Sequence, residues 1–197
     1  MFKKILIANR GEIAWRVMRT AKRMDIATVA VYSDVDASAL HVRMADEAVR
    51  IGPGPASESY LVIDNILAAA AETGADAVHP GYGFLSENAE LPRALKKKGI
   101  VFIGPEPDAI KAMGDKIESK KIAVKSGVST VPGHMGVVLD TKEAASIASG
   151  IGYPVMIKAS AGGGGKGMRV AYSEKELKEG FKLAAREAKS SFGDDRI

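Results

Sequence analysis

Residues 153–173 read Tyr-Pro-Val-Met-Ile-Lys-Ala-Ser-Ala-Gly-Gly-Gly-Gly-Lys-Gly-Met-Arg-Val-Ala-Tyr-Ser, with four consecutive glycines and a lysine between two strand-like stretches. What surrounds those glycines decides the fold of the C-terminal part. The pattern G-x-G-x-x-G is matched at Gly162, Gly164 and Gly167, yet a dinucleotide fingerprint needs a helix after the loop to receive the pyrophosphate at its N-terminus. Here the segment from Met168 to Ser173 alternates like a strand. The Walker A pattern fails as well, because Ser160 stands where its first glycine belongs and Lys166 is followed by Gly167. A glycine-rich hairpin remains. It is either a plain connector or a flap that lays bare backbone N–H groups on a polyphosphate, since no Cβ holds the chain away. Gly162, Gly163, Gly164 and Gly165 in a row carry an entropic cost that a plain turn need not, which favours the flap.

Outward from the loop, alternation along Val155-Met-Ile-Lys-Ala159 puts Met156 and Lys158 on one strand face. Lys158 is a fixed cation for phosphates or an ordinary exposed strand lysine, and the sequence leaves both open. Asp140-x-x-Glu143 and Ser173-x-x-Glu176 resemble capping boxes that open helices on either side of the hairpin. Gly180, inside the second of these, is expected to accept alanine with a gain in helix stability. Earlier, Gly114 breaks a helix, Asp115 is a candidate N-cap, and Lys116 opens the next helix, where a cation opposes the helix dipole.

The N-terminal half alternates short apolar runs with helical patterns, the mark of βαβ units and a parallel sheet. Strands are expected at 4–8, 28–32, 48–51, 76–79 and 101–103. Apolar stripes at Ile13, Val17, Ala21, Met24 and at Val62, Ile66, Ala69, Thr73 mark two of the helices. The predicted class is α/β. A Rossmann-like parallel-sheet domain over 1–114 is followed by an incomplete second layer over 115–197. Two strand exits attract notice. Asn9-Arg-Gly-Glu-Ile-Ala14 has a single glycine, too few for dinucleotide binding, and reads as a strand-to-helix turn. His79-Pro-Gly-Tyr-Gly-Phe-Leu-Ser-Glu-Asn88 leaves the fourth strand at its carboxyl end, where α/β sheets bind ligands. There Gly81 and Gly83 tighten the backbone, Tyr82 offers an aromatic face, and Glu87 is a possible acid or base. The alternative is a turn with a helix cap at Ser86.

Composition excludes several classes. The 197 residues contain no cysteine, which rules out disulfides, zinc thiolates and cysteine nucleophiles. His41, His79 and His134 show no metal-ligand spacing. A net charge of +4 without basic clusters beyond Lys96, Lys97 and Lys98 argues against nucleic acid and suits a phosphate ligand. The opening ten residues are too short in apolar side chains for a signal peptide or a membrane span, so a cytoplasmic protein is expected.

The segments ILIANRGEIAWRV, ADEAVRIGPGPASESYL, HPGYGFLSENAEL, VFIGPEPDAIKAMGDKIESK and GYPVMIKASAGGGGKGMRV, in this order, resemble the N-terminal part of biotin carboxylases, which are ATP-grasp enzymes. SDVDASALHV, MGDKIESKKIA and SSFGDDR are most similar to the propionyl-CoA branch of the acyl-CoA carboxylase α subunits. The resemblance implies ATP-dependent carboxylation of carrier-borne biotin by bicarbonate through carboxyphosphate. Lys116, Lys158 and the loop Gly162, Gly163, Gly164, Gly165, Lys166 and Gly167 would contact ATP. His79, Gly81, Tyr82, Gly83, Glu87 and Asn88 would line the biotin and bicarbonate side, Tyr82 nearest the biotin ring. It also implies that the magnesium ligands and the general base lie beyond Ile197. The stretch alone is then expected to be inactive, with no catalytic or metal residue of its own. Partners would be a biotin carboxyl carrier domain, a carboxyltransferase β subunit and further copies of the chain. Another ATP-grasp ligase, of the carbamoyl-phosphate synthetase or purine-pathway carboxylase kind, shares the glycine flap but not the joined NRGEIA and HPGYGFLSEN. A non-catalytic nucleotide-binding module is the remaining class.

Overall fold

Alternation along Lys4–Ile7 (β1) sends Ile5 and Ile7 to one side of a sheet and Leu6, with Ala8 beyond the strand, to the other. The computed structural model describes residues 1–160 and 167–197, the side chains of Lys116, Ser191 and Phe192 excepted. Two units are present, Met1–Lys111 and Ala112–Ile197.

In the first unit β1 is followed by Gly11–Arg23 (α1), Ala27–Ser33 (β2), Leu40–Met44 (α2), Glu47–Gly52 (β3) and Ile63–Thr73 (α3). Ala77–His79 (β4), Glu90–Lys97 (α4), Val101–Phe102 (β5) and Pro107–Gly114 (α5) come next, α5 running past the unit's end. All strand pairs are parallel and the order is β3-β2-β1-β4-β5. The chain thus builds outward from β1 in one direction, then returns to build in the other. The reversal falls between β1 and β4.

Ala14, Met18 and Ala21 of α1 pack on Ile5, Ile7 and Ala30, while Ile66, Ala69, Leu91 and Leu95 of α3 and α4 cover Leu6, Val29, Val31 and Val78. The α3 stripe is as the sequence reads it. The α1 stripe is partly as the sequence reads it: Ala21 is in the core and Val17 packs against it, while Met24 caps the helix end at 49% exposure and Ala14 and Met18 are buried positions outside the expected stripe. The helix axis is set by the small residues Ala14 and Ala21, which let it approach the sheet closely.

His41 ties three elements together. Fully buried on α2, it accepts at Nδ1 from the Gly11 amide at 3.3 Å, and its Nε2 lies 3.3 Å from the Val31 carbonyl. An amide can only donate, so Nδ1 is bare and Nε2 carries the proton that Val31 receives.

In the second unit Lys116–Lys125 (α6) and Thr141–Ile151 (α7) precede the antiparallel hairpin Val155–Lys158 (β6) and Met168–Ala171 (β7), and Glu174–Phe192 (α8) closes the chain. The caps are those expected: Asp115 accepts from the Ile117 and Glu118 amides, Asp140 from Lys142 and Glu143, Ser173 from Glu176. The reciprocal arms differ from a strict capping box. Glu143 and Glu176 reach the amides of Leu139 and Tyr172, one residue before each cap. Ala144, Ala148, Leu177, Ala184 and Ala188 cover Ile157, Ala159 and Ala171. Gly180 belongs to this packed face of α8. A Cβ there would meet Ile157 Cδ1 at 3.0 Å, so the gain in helix propensity from alanine is opposed by contact with β6.

Burial holds the His41 imidazole below its ordinary value of 6.5, outweighing the Val31 bond and the Asp36 charge that favour the cation. Burial lowers His79 in the same way. Folded imidazoles that resist protonation leave the unfolded chain binding more protons as pH falls through about 6.5, so stability drops there. Unfolding followed by the single tryptophan, Trp15, should show a denaturant midpoint that falls from pH 7 to pH 5.5. His41→Gln should flatten that slope. An unchanged slope in the variant would show that His41 is not the group responsible.

Candidate functional site

The reversal between β1 and β4 is where a doubly wound sheet opens a crevice beyond its strand ends, and the loops leaving these two strands are joined there. Ile7 pairs with His79, and the Ala8 amide donates to the His79 carbonyl at 2.9 Å. Next comes Asn9, 4% exposed. Its Nδ2 donates to the carbonyls of Pro80 and Tyr82, both at 2.8 Å, and its Oδ1 accepts from the Arg10 amide. Gly81, between the two carbonyls, has φ +67°, and a Cβ on it would lie 2.7 Å from Asn9 Nδ2. Its amide donates to His79 Nδ1 at 3.0 Å, which requires the neutral imidazole that burial favours.

Tyr82 stands at the loop tip, 63% exposed, its hydroxyl donating to Glu12 Oε2 at 2.9 Å. The bond to Glu12 and that residue's charge raise the phenol above its ordinary value. Gly83 has φ +65°, and a 3₁₀ turn, Phe84–Glu87, follows. Glu87 and Asn88 are exposed. Asn88 Oδ1 accepts from the Glu90 amide, but the N-cap of α4 is Ala89, with no side-chain cap bond, so Ser86 does not cap it as the turn pattern implied.

Among the described residues Phe84 is one of two non-glycine residues with positive φ, at +46°, a conformation that costs about 1–2 kcal/mol. Its ring stacks on that of Tyr60, centroids 5.1 Å apart and planes 4° from parallel. The Arg10 guanidinium lies over both rings, 5.4 Å from Tyr60 and 5.5 Å from Phe84. Asp36 Oδ2 accepts from Arg10 at 3.2 Å, from the Tyr60 hydroxyl at 2.7 Å and from Ser33 at 2.9 Å. Partial burial pushes the Asp36 carboxyl up, but these bonds and the Arg10 charge outweigh it and hold it below the ordinary range. Burial and the Asp36 bond push the Tyr60 phenol up to about 12.

In the second unit, Lys158 ends β6 with its side chain exposed beside Met156, on the face away from α7 and α8. No carboxylate among the described residues pairs with it. Just past it the loop neck is pinned. The Ala159 amide donates to the Gly167 carbonyl at 2.9 Å, and Glu187 of α8 accepts from the Gly167 amide at 3.1 Å and from Arg169 at 2.9 Å. Gly167 has φ +69°, and its missing Cβ would lie 2.8 Å from that of Ala159. Lys116 opens α6 after the Asp115 cap, and its side chain lies outside the described residues. So do Gly162, Gly163, Gly164, Gly165 and Lys166.

The biotin carboxylase N-terminal domain family matches residues 1–110, more than half of the chain. The chain belongs to the biotin carboxylase family. Residues 115–197 match the ATP-binding domain of the carbamoyl-phosphate synthase L chain, so the first unit sets this family member apart from other enzymes sharing that domain. Its whole length is 64% identical to the propionyl-CoA carboxylase alpha chain of Ruegeria pomeroyi, covering 29% of that protein. It is also 64% identical to the mitochondrial propionyl-CoA carboxylase alpha chain of Homo sapiens, covering 27% of it. The chain therefore spans under a third of these relatives. Biotin carboxylase from Campylobacter jejuni, solved with a β,γ-ATP compound, superposes on all of the chain with a TM-score of 0.95 at 46% identity, the chain covering 44% of it. The biotin carboxylase domain dimer of Hydrogenobacter thermophilus 2-oxoglutarate carboxylase, solved with MgADP, ADP and bicarbonate, gives 0.94 at 50% identity, with 43% covered.

In this biotin carboxylase relative, His79, Gly81, Tyr82, Gly83, Glu87 and Asn88 share one loop held from β1 and α1. Sequence reading missed the holders: Asn9, Arg10 and Glu12, with Tyr60 and Asp36 behind them, and Arg169 and Glu187 at the loop neck. Only NRGE carried a signal, and it reads equally as a plain turn.

Gly81→Ala should destabilise the protein by at least about 2 kcal/mol, from left-handed strain and a displaced Asn9 amide. Gly74→Ala, at a left-handed glycine (φ 64°, ψ 35°) with nothing within 4 Å of its Cβ, should cost only the strain, about 1 kcal/mol. Equal losses in denaturant titrations of the two variants would show that Asn9 does not constrain the loop.

Proposed function

We propose that this chain supplies the nucleotide lid and part of the acceptor side of an ATP-dependent biotin carboxylase, of the kind found in propionyl-CoA carboxylase α subunits. The ATP-grasp portion is taken to begin at Asp115. The observation that carries the reading is Lys158: an exposed ammonium without a described carboxylate partner, on the strand that enters a glycine loop whose neck is pinned by Glu187. That arrangement fits a polyphosphate. The cation attracts phosphate oxygens, and glycines admit close approach of backbone donors.

In the reaction proposed, a bicarbonate oxygen attacks the γ-phosphorus of ATP and the bond to ADP breaks, giving carboxyphosphate. Its carboxyl group then passes to N1 of biotin, inorganic phosphate leaves, and the N1 proton goes to a general base that the reading places outside these residues. Lys158 and Lys116 hold α- and β-phosphate oxygens and so orient the γ-phosphoryl group. Backbone N–H groups of the loop close over the nucleotide and exclude water. Magnesium, when bound, would supply charge neutralisation for the transferring phosphoryl group, and the reading assigns it no ligand in this chain. Tyr82, held at a fixed height by Glu12, borders the biotin ring, and Glu87 and Asn88 lie on the same loop. Partners are a biotinylated carrier domain, a carboxyltransferase β subunit and a second biotin carboxylase copy. No helix among the described residues is long and apolar enough to cross a membrane. Cytoplasmic location is part of the proposal, to be decided by cell fractionation, since relatives include mitochondrial enzymes.

In the complete polypeptide that contains these residues, Lys158→Gln should lower kcat/KM for ATP roughly 10- to 100-fold, the worth of one charge-assisted contact. Gly164→Val and Gly165→Val should cut turnover while leaving Tm nearly unmoved. Parent-like ATP kinetics in all three variants would remove the nucleotide role of this segment.

A further inference from the structure

Three residues of one turn grip the loop that carries Tyr82. Asn9 binds its backbone at Pro80 and Tyr82, Glu12 binds the Tyr82 hydroxyl, and Arg10 lies against the Phe84 ring. The first two act directly on the loop tip. Arg10 acts through a chain: Asp36 orients the guanidinium, and the guanidinium covers the stacked pair of Tyr60 and Phe84. Tyr60 is itself fixed at its hydroxyl, which donates to Asp36 and accepts from the Ser33 amide at 3.1 Å. Phe84 sits two residues after Tyr82, in a left-handed conformation that persists only where surrounding contacts over-determine it. Those contacts include the Tyr60 ring and the Arg10 guanidinium, beside the core cluster on which Phe84 packs. Without them the backbone of residues 83–85 relaxes, and the hinge at Gly83 lets Tyr82 move.

We propose that Arg10 is a positioning residue for biotin carboxylation: tethered to Asp36, its guanidinium bridges the stacked rings of Phe84 and Tyr60 and thereby fixes where Tyr82 stands. The proposal rests on the reading of residues 79–88 as the biotin side of the site. Charge alone does not suffice for the role. A planar guanidinium stacks across two rings at once while keeping its bond to Asp36, and a lysine ammonium does not.

The test uses the complete polypeptide that contains these residues. Arg10→Lys keeps the charge and loses the stacking, Phe84→Leu loses the ring, and Phe84→Tyr keeps it. Without substrates, amide hydrogen exchange reads the clamp itself through Ser86 and Asn88, whose amides donate to the Gly83 and Leu85 carbonyls. These should exchange roughly tenfold faster in Arg10→Lys and Phe84→Leu, with Leu6 and Val78 unchanged. With soluble biotin as acceptor, the same two variants should raise KM for biotin about five- to tenfold and leave KM for ATP within about twofold. Phe84→Tyr should match the parent in both measurements. Should Phe84→Leu fold poorly, Tyr60→Phe, which loosens Asp36 and keeps the stack, should show the same changes at smaller amplitude. Parent-like exchange in Arg10→Lys overturns the clamp. Faster exchange with unchanged biotin kinetics overturns its part in the reaction, and so does an equal rise in both KM values. A parent with no biotin-dependent ATP turnover overturns the functional reading on which the proposal rests, while the exchange measurement still judges the clamp.

Discussion

One buried carboxamide holds the strand-end loops of the first unit together. Asn9 follows β1, and both hydrogens of its Nδ2 go to carbonyls of the loop after β4. Those carbonyls flank a left-handed glycine, where no sheet ladder can pair them. A side chain must do so, or the loop carries unsatisfied polar groups beside the core. Asparagine suits the place because its amide supplies two donors and its oxygen still accepts from the Arg10 amide. Much else on the loop follows from that grip. Gly81 has no room for a Cβ, Tyr82 comes within reach of Glu12, and Phe84 arrives over Tyr60.

The second unit solves a related problem by another route. Its glycine loop leaves the end of a two-stranded hairpin, an element that is marginal by itself. The packing of α7 and α8 against one hairpin face supplies the missing stability. Glu187, on α8, then holds Gly167 and Arg169 at the root of the loop. In the first unit the loop that carries Tyr82 is placed by side chains of the turns that follow β1, β2 and β3 and by Glu12 of α1, and in the second the root of the glycine loop is placed by Glu187 of α8. A site built this way keeps its geometry because its supports are packed.

Much of this was legible in the chain. The strand positions, the Asp115, Asp140 and Ser173 caps and the hairpin around the glycines follow from local pattern, because alternation, capping and turn chemistry act over a few residues. The α1 stripe was read in part: Ala21 and Val17 do face the core, but Ala14 and Met18, fully buried, were passed over, and Met24 is exposed at the helix end. Gly180 was read as a helix weakness and proved to be a contact. Ser86 was a plausible cap, but α4 begins only at Glu90, with Ala89 at its N-cap and no side-chain cap bond.

The amino-acid sequence alone determined the α/β class, the order of the elements, the loop that carries Tyr82 and the lysine that leads into the glycines. Each depends on spacing within one segment. Only the tertiary structure decided what holds that loop. Arg10, Asp36, Tyr60 and Phe84 are separated by up to 74 residues (84 − 10) and meet because parallel strands return every crossover to the same sheet edge, bringing the ends of β1, β2 and β4 side by side. No spacing rule links an arginine after the first strand to an aromatic after the fourth. The strand order does.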